Sequence, residues 1–210
     1  MNLNSKPSIY APTVDWRVPA ERPSLTAESA HVWRVDLQQP DHIIKRLAHY
    51  LASDEQENAN RFHFARDQRR YRVGRGALRL ILSNYLSEEP HQHQFGYTKY
   101  GKPFLQNGRL TFNVTHSHET ALIALHRHAE IGVDIEQVRP LSDMADLVQS
   151  VFTETEQQAW QRYDADERPW AFFAGWTRKE SVIKALGQGP STCSARNSSP
   201  ARSSSRSRAR

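Results

Sequence analysis

Cysteine is nearly absent: the 210 residues hold one, Cys193, so no disulfide can form within the chain and no thiolate metal cluster can be built. That scarcity fits a reducing, cytoplasmic setting. Long apolar runs are missing too, and the first 30 residues scatter Pro7, Pro12, Pro19 and Pro23 among polar side chains where a secretory leader would need a hydrophobic stretch. A membrane protein is not expected. Residues 190–210 contain no lysine and no acid but five arginines, Arg196, Arg202, Arg206, Arg208 and Arg210. Removing those five from the 28 Lys and Arg leaves 23, equal to the 23 Asp and Glu, so the net charge of +5 belongs to the tail and the body is neutral. A nucleic-acid module, the reading that the arginine tail and a basic helix invite, is the lesser alternative, because the basic excess lies outside the patterned body.

What is present is a globule-sized chain with 38% hydrophobic residues and mixed periodicities. Residues 31–37 alternate as a strand and 43–51 read as a short helix. From 61 to 86, Val73, Ala77, Leu78, Ile81, Leu82 and Tyr85 recur at helical steps, with arginines elsewhere, so one face is expected to be buried and the other basic. Arg72, Arg75 and Arg79 read either as a basic stripe or as a solvated face. The YGKP stretch at 100–103 is a turn, and 110–114 and 121–125 are strands, the second apolar enough to be central. Residues 130–138 read as a further strand. Thr153 and Glu156 have capping-box spacing, and a helix over 169–186 is expected to stop at Gly187. Beyond Pro190 the Ser/Arg/Ala composition predicts a disordered tail. The order is α+β rather than doubly wound.

Three groups of side chains could carry chemistry. In a strand, Asp134 and Glu136 would point the same way about 7 Å apart and repel by roughly 2 kcal/mol, a cost that a cation removes. An edge strand displaying acids to water explains the pair equally well. Glu180 and Lys184 share a helix face, as an ordinary surface pair would, but Phe172, Phe173, Trp176, Ile183 and Leu186 predict a largely buried helix. Carboxylate oxygens suit a hard cation such as magnesium, which often also binds substrate phosphates. The His91/His93, His116/His118 and His126/His128 pairs would allow zinc, although ten histidines in the chain make such pairs common by chance.

GVDIE at 132–136 followed by WTRKESVIKALGQG at 176–189 resembles the two-part signature of the 4′-phosphopantetheinyl transferases. FARD at 64–67, Gly74-Arg75, Leu78-Arg79, YGKP at 100–103 and FNVTHS at 112–117 follow the family order. The resemblance runs from about residue 60 to 189 and is to the larger, monomeric class that activates fatty-acid, polyketide and nonribosomal-peptide carriers. It implies two similar α/β halves about a pseudo-twofold axis, with coenzyme A between them. It further implies that the phosphopantetheine arm of coenzyme A moves to a serine of an apo acyl- or peptidyl-carrier protein. Asp134, Glu136 and Glu180 would hold Mg2+, Glu180 would also serve as general base, and Lys184 would stabilise or protonate the departing adenosine 3′,5′-bisphosphate. Lys102 and Pro103 would contact the nucleotide, Thr115 and His116 the 3′-phosphate, and Arg66 a phosphate. The expected organisation is an N-terminal half over 1–130, a C-terminal half with the metal site over 131–189 and the tail over 190–210. The family normally continues after G-x-G with apolar strands, where this chain has Pro190 and the Ser/Arg tail, so the second half is expected to be truncated. A coenzyme A-binding pseudoenzyme is the alternative that such a truncation raises.

Overall fold

The computed structural model describes residues 14–187; the expected tail lies outside the described residues. Its chain order is β1 (Ala30–Asp36), α1 (Asp41–Ala48), α2 (Ser53–Asn60), α3 (Ala65–Leu86), a 3-10 turn (Pro90–Gln92), β2 (Phe95–Tyr97), β3 (Pro103–Leu105), β4 (Thr111–Ser117), β5 (Thr120–His126), α4 (Met144–Val151), α5 (Glu154–Gln161) and α6 (Arg168–Ala185). The fold is mixed α and β, as the sequence predicts. β5 is the centre of an antiparallel sheet ordered β1-β5-β4, and β2 pairs with β3 in a separate hairpin.

Alternation gives the main sheet two unlike faces. Phe112, Ile123 and Leu125 pack with Leu78, Ile81 and Leu82 of α3, and Trp33, Val35 and Val114 join them. The opposite face of β4 carries Asn113, Thr115 and Ser117. A second core gathers Met144, Val148, Val151, Phe152, Phe172 and Phe173 from α4 to α6. Among the described residues no strand follows His126, and the elements after it are the three helices α4 to α6. Thr153 and Glu156 form the expected capping box, and α6 ends before Gly187, whose φ of 64° is open to glycine at little cost.

The arginines of α3 do not form a solvated stripe. Arg79 is 2% exposed and donates to Glu55 Oε2 at 2.6 Å and to the carbonyls of Pro90 and His93. Arg75 donates to Glu55 Oε1 at 2.5 Å and to the Tyr97 hydroxyl, with its guanidinium 4.4 Å from the Phe95 ring centroid. Glu55 is 1% exposed and also accepts the Ala52 N–H, so one acid on α2 pairs with two arginines from the next helix. Breaking a buried pair strands a charge at a cost of about 3–5 kcal/mol. Glu55→Ala should therefore lower unfolding stability by that amount in a urea titration, whereas Arg72→Ala, which loses only a bond to Asn60, should change it by less than about 0.5 kcal/mol.

Candidate functional site

The strand expected over 130–138 is not one. The segment makes no backbone ladder and is held instead over the polar face of β4 by side chains. Asn113 Oδ1 accepts the Val133 N–H at 2.9 Å, Thr115 donates to Asp134 Oδ1 at 3.0 Å, and Ser117 Oγ donates to Glu136 Oε2 and accepts the Gln137 N–H, both at 3.0 Å. Every second residue of β4 thus reads off this segment, and the alternation in both stretches reflects that contact. Gly132 is required by close approach: a Cβ there would stand 1.9 Å from the Ser181 carbonyl oxygen and 2.5 Å from Ala185 N on α6.

This docking brings Asp134 to α6. Its side chain is 5% exposed, and Oδ1 accepts from Lys184 Nζ at 2.5 Å as well as from Thr115. Lys184 Nζ also donates to Thr115 Oγ1 at 3.1 Å, closing a three-membered polar ring. Asp134 Oδ2 is buried with no protein partner. Burial holds the Glu180 carboxyl above the usual carboxylate range; the negative charges of Asp134 and Glu136 push the same way, and Lys184 opposes them. Three carboxylates therefore share one electrostatic neighbourhood. Among the described residues, however, no three His, Cys, Asp or Glu side chains stand close enough to ligate one ion. The donor set nonetheless fits a hard cation in its chemistry, because an unpaired buried carboxylate oxygen beside two further acids is where such an ion relieves most repulsion.

Thr115 and His116 do not face the same way. Adjacent on β4, they lie on opposite sheet faces, Thr115 with Asp134 and Lys184, His116 on the α3 side. There His116 helps line a cavity of about 340 Å3 with Arg70, Tyr71 and Arg75. No sequence signal marks Arg70, Tyr71 and Arg75 as cavity residues, since helical side chains that face a cavity look like any others. Arg70 is paired with Glu119. Arg66 is outside that lining and largely exposed, and it contacts Asp67 at 3.4 Å. Pro103 opens β3 directly after Lys102, whose ammonium reaches Glu130, Ile131 O and Lys184 O.

The histidine pairs, common by chance in a chain with ten histidines, form no zinc site among the described residues. His93 is buried against Ser83 and Glu88, burial pushing it below the usual imidazole range against the pull of Glu88, and His126 Nδ1 accepts the N–H groups of His128 and Ala129. Nor is α6 buried along its length: Phe172 and Phe173 are in the core, but Leu186 is 64% exposed, because the apolar partners end before the last turn.

Comparison with known proteins agrees with the motifs. A family model described as 4′-phosphopantetheinyl transferase, N-terminal, matches residues 37–128, and one described as the 4′-phosphopantetheinyl transferase superfamily matches 130–202, beyond the Gly189 at which the motif resemblance stops. The chain is 40% identical over 171 residues to the 4′-phosphopantetheinyl transferase HetI of Nostoc sp., covering 79% of this chain and 72% of HetI. It is 28% identical over 146 residues to Sfp of Bacillus subtilis, 69% of this chain and 64% of Sfp, and 35% identical over 112 residues to AcpT of Salmonella typhimurium, 53% of this chain and 57% of AcpT. With the Asp134, Thr115 and Lys184 ring in the electrostatic neighbourhood of Glu180, these matches identify the chain as a member of the 4′-phosphopantetheinyl transferase superfamily.

Proposed function

We propose that this chain transfers the 4′-phosphopantetheine arm of coenzyme A to a serine hydroxyl of an apo acyl- or peptidyl-carrier protein. The observation that supports it most is Asp134: one oxygen held by Lys184 and Thr115, the other buried and unpaired, next to a carboxyl that burial keeps protonation-prone. Asp134, Glu136 and Glu180 would hold Mg2+, which when bound neutralises charge on the pyrophosphate oxygens.

The serine Oγ attacks the β-phosphorus, and the bond from that phosphorus to the bridging oxygen breaks. Glu180 takes the serine proton, directly or through water; a carboxyl with a raised pKa is a better base than a solvated one. Lys184, held by Asp134, donates to the oxygen left on adenosine 3′,5′-bisphosphate. Thr115 orients Asp134 and Lys184 and can turn its hydroxyl to a phosphate. The nucleotide end would extend toward His116 and Pro103, with the exposed Arg66 offering a further phosphate contact. Because Thr115 and His116 face apart, that ligand has to pass around β4.

The two parts implied by this reading are a sheet-bearing one to about residue 130 and a helical one carrying the carboxylates. Among the described residues no helix is long and apolar enough to cross a membrane. We read the protein as a cytoplasmic monomer acting on coenzyme A and carrier proteins, without a nucleic-acid partner.

Incubation of the chain with coenzyme A, Mg2+ and apo acyl- or peptidyl-carrier protein, followed by mass spectrometry of the carrier, tests the reading. A gain of one phosphopantetheine is expected, and it should vanish in excess EDTA. Coenzyme A binding with every carrier left unmodified would identify a pseudoenzyme instead.

A further inference from the structure

Lys102 ends the turn of the β2–β3 hairpin, yet its ammonium is directed into the second part of the protein. Nζ donates to the Lys184 carbonyl at 2.9 Å and to Glu130 Oε2 at 3.0 Å, with a longer contact to the Ile131 carbonyl at 3.4 Å. An ammonium has three N–H donors, so protein oxygens can take all of them. Its side chain is only 15% exposed, and Glu130 both neutralises it and would repel an approaching phosphate.

The acceptors matter more than their number. The Lys184 carbonyl lies in the last turn of α6, at the negative end of the helix dipole, where a cation is favourable. Lys184 sends its own side chain the other way, to Asp134 and Thr115. Glu180 is one turn earlier on the same helix. A tether on the Lys184 backbone therefore fixes the end of α6 from which two side chains of the site project, while the Glu130 and Ile131 contacts fix the approach to Gly132 and Asp134.

We propose that Lys102 is a positioning residue, clasping the hairpin to the last turn of α6 and holding Lys184 in register with Asp134, and is not a ligand of the nucleotide. The kinetic consequence rests on the transferase reading above; the clasp itself does not. Lys102→Met keeps the apolar stem and removes the donors.

In the full chain without substrates, amide hydrogen exchange over 182–187 should speed up about tenfold in Lys102→Met while α3 is unchanged. In transfer assays kcat should fall about tenfold with KM for coenzyme A within about twofold of wild type, and Lys102→Arg should recover most of the loss. Glu130→Gln, on an exposed side chain that leaves folding intact, should speed the same exchange about threefold with KM unchanged. Unaltered exchange in these variants, or a KM raised about tenfold at constant kcat, would overturn the proposal and make Lys102 a nucleotide ligand. Should the wild-type chain transfer nothing, the functional reading fails, and the exchange measurement still decides the clasp.

Discussion

Asp134→Ala should reduce phosphopantetheine transfer by at least about 10³-fold while leaving a cooperative thermal unfolding transition. Both halves of that expectation follow from the two oxygens. Oδ1 orders Lys184 and Thr115, so its loss frees the cation that is to meet the leaving phosphate. Oδ2 has no protein partner, so in the folded chain it contributes desolvation cost and no bond. Removing it takes little from stability. Lys184 is not stranded either, because it is partly exposed and keeps the Thr115 hydroxyl and a longer contact to the Val133 carbonyl. Asp134→Asn should be nearly as inactive, since an amide preserves shape but not charge. Transfer within about tenfold of wild type in either variant, measured at saturating coenzyme A, would remove Asp134 from the chemistry.

Local patterns in the chain carry the elements whose partners are near in sequence. The central strand at 121–125, the turn at 100–103, the Thr153/Glu156 cap and the stop at Gly187 are each set by a few adjacent residues. The polar α2 has no apolar period, and its purpose, to place Glu55 under Arg75 and Arg79, involves partners 20 and 24 residues away. For the same reason α3 looks more basic than it is. The segment 130–138 alternates like a strand, with the side chains of Asp134 and Glu136 meeting Thr115 and Ser117 of β4, and periodicity does not distinguish side-chain docking from a ladder. Asn113, Thr115 and Ser117, on alternate positions of FNVTHS, are themselves the readable signal that something polar covers that face. The acids of GVDIE and the Glu180/Lys184 pair are visible as motifs, but the contacts that join them span 50 residues and come from the docking of α6.

That docking sets Glu180 against its own neighbours, so Glu180→Gln should abolish transfer yet raise the melting temperature in the absence of metal. The folded-state pKa of Glu180 is above its unfolded value, through burial first and then the Asp134 and Glu136 charges, with Lys184 offsetting only part. Between those two pKa values the folded chain binds more protons than the unfolded one, so unfolding free energy decreases as pH rises through that window. Above it, the ionised carboxylate is a standing cost to the fold. A neutral amide of the same shape removes that cost, and with it the corresponding part of the pH dependence above pH 4.5, the unperturbed value. Adding Mg2+ with coenzyme A should reverse the order of stabilities, because ligands that bind only the folded, ionised site stabilise wild type and not the variant. Thermal melts of both proteins across pH 4 to 8, with and without Mg2+ and coenzyme A, check this directly. Glu180→Gln melting below wild type in metal-free buffer at pH 8 would mean that the carboxylate is stabilised where it stands, and that Glu180 is neither strained nor poised to accept a proton.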